Sequence, residues 1–209
     1  MASPRPRLSR QSIVSASLAA LDRDGLAALS LRRIAADLGV QSPALYWHFE
    51  SKRDLLDAIA DVIVNDASLS SPAPDEAWST WLMTRALDYR RALLAHPDAA
   101  RIVMDARLTP ATLGRLDEEL RELARRGVPP LAAIDTIGTI SRYTLAYVMA
   151  EQTTRDEPPE RVAQRGAEAV TALGPDSPLL AVVAADTDSD ARFQRGVQLI
   201  IDGLRATGT

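Results

Sequence analysis

Apolar residues recur along the chain at steps of three and four, and no segment alternates as a half-buried strand does, so the pattern predicts an all-α protein. Ser9 reads as an N-cap, with Leu8 before it and Ile13 inside it forming a hydrophobic staple; Val14, Leu18 and Leu21 share one face, and Gly25 ends the helix. Ser30 repeats the device with Leu29 and Ile34, and Gly39 stops this shorter helix. Ser42-Pro43 opens a helix of about two turns, since a proline in the first turn gives up no hydrogen bond. Ser51, with Asp54 at the capping-box position, starts another that carries Leu55, Ile59 and Ile63 and runs to about Asp66. Ser68-Leu69-Ser70-Ser71-Pro72-Ala73-Pro74 is the clearest linker and places the expected domains at 1–66 and 67–209.

Beyond the linker the periodic segments lengthen. Trp78, Leu82, Arg85, Tyr89 and Leu93 follow one another at near-i+4 steps until His96-Pro97 closes the helix. Thr109-Pro110 starts a helix with Leu113, Leu116, Leu120 and Leu123 on one stripe. From Leu131 to about Gln152, Ile134, Ile137, Ser141, Thr144 and Val148 form another stripe, where Gly138 permits close approach of a second helix. Pro158-Pro159 precedes a helix to Leu173, Gly174-Pro175 and Pro178 interrupt the pattern, and a final helix carries Phe193, Val197, Ile201 and Leu204.

The composition, 209 residues at 46% hydrophobic and 25% charged, suits a globular protein with a real core. The absence of cysteine excludes disulfide frameworks, cysteine nucleophiles and thiolate metal sites. No apolar run approaches the roughly 20 residues of a membrane helix, and Ala2-Ser-Pro-Arg-Pro-Arg7 does not read as a secretion signal, so the expected location is the cytoplasm and no membrane partner is expected. Charge is uneven: the first 53 residues hold eight basic and four acidic side chains, although the whole chain is at −4. A basic first quarter on an acidic body fits an anionic partner at the N-terminal end, or a chance asymmetry of solvated faces.

Residues 30–49 combine a helix, a glycine-centred turn and a second short helix at helix-turn-helix spacing. Ile34, Leu38, Val40, Leu45 and Phe49 can all turn inward, which leaves Gln41, Ser42, Pro43, Ala44, Tyr46, Trp47 and His48 outside. Such a helix fits the major groove of double-stranded DNA, where amides and hydroxyls meet base edges or phosphates and alanine or proline meets thymine methyls. Alternatively Tyr46 and Trp47 pack into the small domain, as single aromatics more often do. Burying both would leave Leu45 and Phe49 without an inside, and Arg32, Arg33, Lys52 and the arginine-rich N-terminal arm supply positive charge beside that face.

Leu29-Ser-Leu-Arg-Arg-Ile-Ala35, Leu38-Gly-Val40, Pro43-Ala-Leu-Tyr-Trp-His-Phe49 and Lys52-Arg-Asp-Leu-Leu-Asp57 resemble the TetR family of bacterial repressors. Trp78, Arg90-Arg-Ala-Leu-Leu-Ala-His96, Arg107, Tyr143-Thr-Leu145 and Leu199-Ile-Ile-Asp-Gly-Leu204 resemble the effector-binding and dimerisation domain of its tetracycline repressor subgroup. The resemblance spans nearly the whole chain, with about Glu157 to Asp190 matching poorly. It implies that the second short helix is the recognition helix, with Ser42, Pro43, Ala44, Tyr46, Trp47 and His48 facing DNA and Arg32 and Lys52 approaching it or its phosphates. Ser42 stands where the subgroup has glutamine, so a different base preference is expected; serine donates or accepts and specifies weakly. The resemblance also implies a homodimer joined through Leu131–Gln152 and Arg192–Leu204 as a four-helix bundle.

At the positions where the subgroup's histidine and glutamate help hold the drug's magnesium ion stand Val103 and Ala150, which cannot ligate a metal. Arg85 replaces its drug-gripping asparagine, Tyr89 a phenylalanine, and Arg107 is retained. Trp81, Tyr89, Met104, Tyr143 and Tyr147 are candidates to line an effector cavity, with Arg85 or Arg107 pairing an anionic or aromatic small molecule. A neighbouring acid such as Asp88 or Asp105 would equally satisfy Arg85. Asp186-Thr-Asp-Ser-Asp190 has the opening acids of a calcium loop, but Ala191 and Val197 stand where its glycine and closing acid belong, and Ser189 or Asp190 reads better as a helix cap. No metal or cofactor is therefore expected. An enzyme would need an acid-base pair or nucleophile, and Glu118 and Glu119 lie in an ordinary solvated helix pattern. The expected function is a ligand-responsive transcriptional repressor that leaves its palindromic operator when a small-molecule effector binds; the alternative is a regulator whose C-terminal domain binds a protein.

Overall fold

A computed structural model of the chain describes residues 8–66, 72–73, 75–155, 157–174, 176–185 and 188–207. Most of the expected linker, at 68–71 and 74, lies outside these residues, as do Ala67, the arm's Arg5 and Arg7, Pro175, and Asp186 and Thr187 of the dismissed calcium loop. The described residues form helices α1 (Arg10–Ala28), α2 (Leu31–Asp37), α3 (Ser42–Tyr46), α4 (Lys52–Asp66), α5 (Trp78–Leu94), α6 (Ala99–Asp105), α7 (Pro110–Arg125), α8 (Pro130–Arg155), α9 (Pro159–Leu173), α10 (Pro178–Ala185) and α11 (Ser189–Thr207), with no strand among them. The chain divides into two compact units, Met1–Ser71 with Asp88–Glu122 and Pro72–Leu87 with Leu123–Thr209.

In the first unit the local signals act as expected. Ser9 Oγ accepts the Ser12 N–H at 3.1 Å and Ser12 Oγ accepts the Ser9 N–H at 2.9 Å, a reciprocal cap, while Ile13 is fully buried. Gly25 breaks α1 with φ 73°, a left-handed angle that favours glycine, but one further turn resumes as far as Ala28. Leu26 N–H donates to Asp98 Oδ2 at 3.0 Å beside that break. Ser30 Oγ accepts the Arg33 N–H at 3.3 Å to start α2. α2 ends in a Schellman motif: Val40 N–H donates to the Ala35 carbonyl at 2.9 Å and Gly39 N–H to Ala36 at 3.0 Å, with Gly39 at φ 67°. Ser51 Oγ then caps α4 through the Asp54 N–H at 3.1 Å. Ile13, Leu21, Ile34, Leu45, Phe49, Leu55 and Ile59 form the core of this unit, whereas Leu38 and Val40, expected inside, are half-buried at the turn.

α6, which the sequence pattern does not announce, packs against α4 and buries Ala99, Ala100 and Ile102. The loop after it and the start of α7 lie along α4 through hydrogen bonds. Arg107 N–H donates to Asp57 Oδ1 at 3.1 Å, the Thr109 and Thr112 hydroxyls to Asp61 Oδ1 at 2.5 and 2.6 Å, and Arg115 to the Val64 carbonyl at 2.9 Å.

The second unit is organised by α8 against α11. Phe193, fully buried, stacks on Tyr143 with centroids 5.5 Å apart and meets Tyr147 edge-on at 5.2 Å. The close helix approach sits at Gly196 rather than Gly138. A Cβ on Gly196 would lie 2.1 Å from Tyr143 Oη, whereas one on Gly138 meets only Arg142 of its own helix, at 3.0 Å. Ile137, Thr144 and Val148 of the expected α8 stripe are buried, but Ile134 is not. α9 buries no residue, and α10, also absent from the periodicity reading, leaves Leu179, Val182 and Val183 exposed.

Candidate nucleic-acid interface and effector region

α3 has five residues, and only Leu45 among them is buried. With Phe49 it anchors the short helix, since both are fully buried one helical turn apart. Everything that roots α3 lies on that side, so the other side is open: Tyr46 is 55% and Trp47 89% exposed. This removes the alternative in which the two aromatics fill the core. Gln41 and Pro43 are exposed, while Ser42, Ala44 and His48 are half-buried at the same surface.

The cations beside α3 have different fates. Arg33 pairs with Asp24 at 2.9 Å, and Arg23 pairs with Asp24 at 2.7 Å and Asp37 at 3.0 Å. Arg32 and Lys52 are exposed and have no ion-pair partner among the described residues, which suits side chains that meet phosphates.

Arg10 turns back instead. It donates to Asp54 Oδ1 at 2.8 Å, and this bond holds the Asp54 carboxyl below its ordinary range against the opposing effect of burial, helped by the Glu50 N–H. A depressed carboxyl pKa contributes stability that is fully present above the unfolded value and lost as pH falls through the folded one. Asp54→Asn is therefore expected to remove part of the destabilisation between about pH 4 and the folded midpoint. NMR titration of Asp54 in the unsubstituted protein should give a midpoint below about 3.9; an unshifted midpoint would remove the coupling.

The candidate effector residues are divided between the units. In the second, Trp81 and Arg85 are buried on α5, at 3% and 8% exposure, and Tyr143 and Tyr147 are half-buried around Phe193, with Tyr147 Oη donating to the Ser189 carbonyl at 3.0 Å. In the first, Tyr89 is buried on the same helix, whereas Met104 and Arg107 are exposed. Asp88, one of the acids weighed as a partner for Arg85, pairs with Arg91 at 2.8 Å. The first unit also holds a polar cleft of about 450 Å³ lined by Glu50, Ser51, Arg53, Asp54, Asp57 and Arg107, charged rather than aromatic in character. Glu119, which the stripe of α7 places on the solvated side, is buried instead. Among the described residues no group of three or more histidines and acids is placed to hold a metal ion, and no helix is long and apolar enough to cross a membrane.

A capped helix, a Schellman turn and a short helix that buries its root and presents its aromatics define a DNA-binding helix-turn-helix regulator. The chain belongs to the TetR family: residues 13–59 match the family of bacterial regulatory proteins of that name and residues 71–207 the tetracyclin repressor-like C-terminal domain. It is 37% identical over 202 residues to the class A tetracycline repressor of transposon 1721 from Escherichia coli, covering 95% of this chain and 91% of that protein. The solved class A TetR in complex with 5a,6-anhydrotetracycline and magnesium matches with a TM-score of 0.73 at 30% identity, over 95% of this chain and 99% of that one. ActR of Streptomyces coelicolor in complex with actinorhodin matches with a TM-score of 0.83 at 28% identity, over 99% of both chains. The protein is thus a ligand-responsive DNA-binding regulator of a family of transcriptional regulators, not of enzymes.

Proposed function

We propose that the protein is a repressor that binds a palindromic operator as a homodimer and is released by a small-molecule effector. The observation that carries the reading is the exposure of Tyr46 and Trp47 on a helix whose opposite side is the core. Gln41, Ser42, Pro43, Ala44, Tyr46, Trp47 and His48 face the major groove, and Arg32 and Lys52 meet phosphates. Residues 1–66 form the DNA-binding domain and 67–209 the effector and dimer domain. Leu131 on α8 and Leu199 on α11, 73% and 76% exposed in the single chain, support a dimer built across these helices.

Two recognition helices enter successive major grooves when about 34–36 Å apart. An effector preferring a different spacing lowers operator affinity by its differential affinity for the two states, and the operator opposes the effector equally. α4 is the lever, and the hydrogen bonds it accepts from Arg107, Thr109 and Thr112 are where an effector-induced shift would reach it. Trp81, Tyr89, Met104, Tyr143 and Tyr147 are the apolar candidates for effector contact, with Arg85 and Arg107 as the polar ones. An aromatic or anionic effector suits them; the related class A TetR is solved in complex with 5a,6-anhydrotetracycline and magnesium, and ActR with actinorhodin. Magnesium carriage does not fit, because Val103 and Ala150 offer no ligating atom.

The test is binding, titrated across salt, to DNA flanking the protein's own gene and to a scrambled control. Specific binding that survives salt concentrations removing the control is expected; equal and wholly salt-sensitive binding would overturn the operator reading. Lys52→Ala should weaken binding to both DNAs alike and lower the salt slope by about one unit in each recognition domain. With an effector in hand, Arg85→Ala should blunt release; full release by the variant would argue against an anionic ligand, and a body that engages only a protein would favour the alternative partner.

A further inference from the structure

α3 cannot hold its own conformation. Five residues are little more than one turn, too few to repay helix nucleation, and Gln41 makes no side-chain cap. Leu45 and Phe49 root α3 in the core, and the backbone that follows it is held in place by Arg10. Its Nη1 donates to the His48 carbonyl at 2.6 Å, its Nη2 to Asp54 Oδ1 at 2.8 Å, and its guanidinium carbon lies 4.1 Å from the centroid of the Phe49 ring. Asp54 Oδ2 accepts the Glu50 N–H at 3.2 Å. One planar cation thus gathers the first turn of α1, the carbonyl just after α3, the ring that roots α3 and the first turn of α4. A lysine has no fork to bridge the carbonyl and carboxylate while stacking on the ring. Because Asp54 neutralises this charge, Arg10 adds little to the field that attracts phosphates.

We infer that Arg10, acting with Asp54, is a positioning residue for sequence reading: it sets the pitch of α3 and so the operator preference without touching a base. The inference rests on α3 being the recognition helix.

The sign of the charge separates this role from plain attraction. Asp54→Asn removes a negative charge from the DNA-facing unit, so attraction alone would tighten binding to every duplex. Positioning requires the opposite for the operator. The measurement uses the full chain, the duplex that the unsubstituted protein selects from a random-sequence pool, and a scrambled duplex of the same composition, at one salt concentration. The operator-to-scrambled affinity ratio is expected to fall about tenfold in Asp54→Asn, Arg10→Lys and Arg10→Met, and no further in Arg10→Met with Asp54→Asn. Repeating the selection with Asp54→Asn should return a broader set of sequences, which loss of stability alone would not produce. An unchanged ratio in folded Asp54→Asn and Arg10→Lys overturns the inference even if Arg10→Met fails to fold. Failure of the unsubstituted protein to select any sequence would remove the recognition-helix reading itself, and this inference with it.

Discussion

Tyr46→Ala should leave the fold intact and lower operator affinity about 30- to 1,000-fold. The size follows from about 1–2 kcal/mol lost at each half-site and counted twice in a dimer. The fold survives because the ring is more than half exposed and Leu45 and Phe49, which root the helix, are untouched. Mobility shift at moderate salt, with circular dichroism on the same samples, checks both halves of the statement. Operator affinity within threefold of the original would remove Tyr46 from the interface, and a loss of helicity would show that the ring supports the fold.

Phe193→Ala acts on the other unit and on stability. The ring is fully buried between two tyrosines, so its removal deletes a large apolar side chain and two aromatic contacts together. The expected cost is about 3–5 kcal/mol, because the wall opposite cannot collapse into the gap. Tyr143 Oη already lies so near Gly196 that a Cβ there would sit 2.1 Å away, which limits how far the ring can move toward α11. Denaturant unfolding of the variant should show this as a lowered midpoint; a loss below about 1 kcal/mol would mean that the α8 and α11 surfaces repack freely.

What the amino-acid sequence discloses depends on how local the cause is. The α2–α3 turn is legible because Ser30, Gly39 and Ser42-Pro43 each act within four residues of themselves. α10 is not, because Pro178–Ala185 is apolar on every side and leaves no period to detect. α6 is too short to show one, and its start at Asp98 has a left-handed backbone, φ 59°, with no side-chain cap. Glu119 misleads for a different reason: the leucine stripe of α7 points one way, but Leu113 ends half exposed while the carboxylate turns in. Arg10 looks like any polar residue after an N-cap, and Gly196 like a glycine in a helix; both matter through partners distant in the chain. The exposed side of α3 is readable by subtraction, since Leu45 and Phe49 claim the inside.

The division of labour within α3 has an evolutionary consequence. Leu45 is the one residue of α3 that is buried, so the exposed Tyr46, and Trp47 after it, can be exchanged with little effect on whether the domain folds. Most proteins that acquire a new specificity must first tolerate the damage done by the substitutions that create it. A duplicated copy of this gene would face little of that obstacle: its product could drift to a new DNA address one surface residue at a time, arriving still folded and still able to answer its old signal.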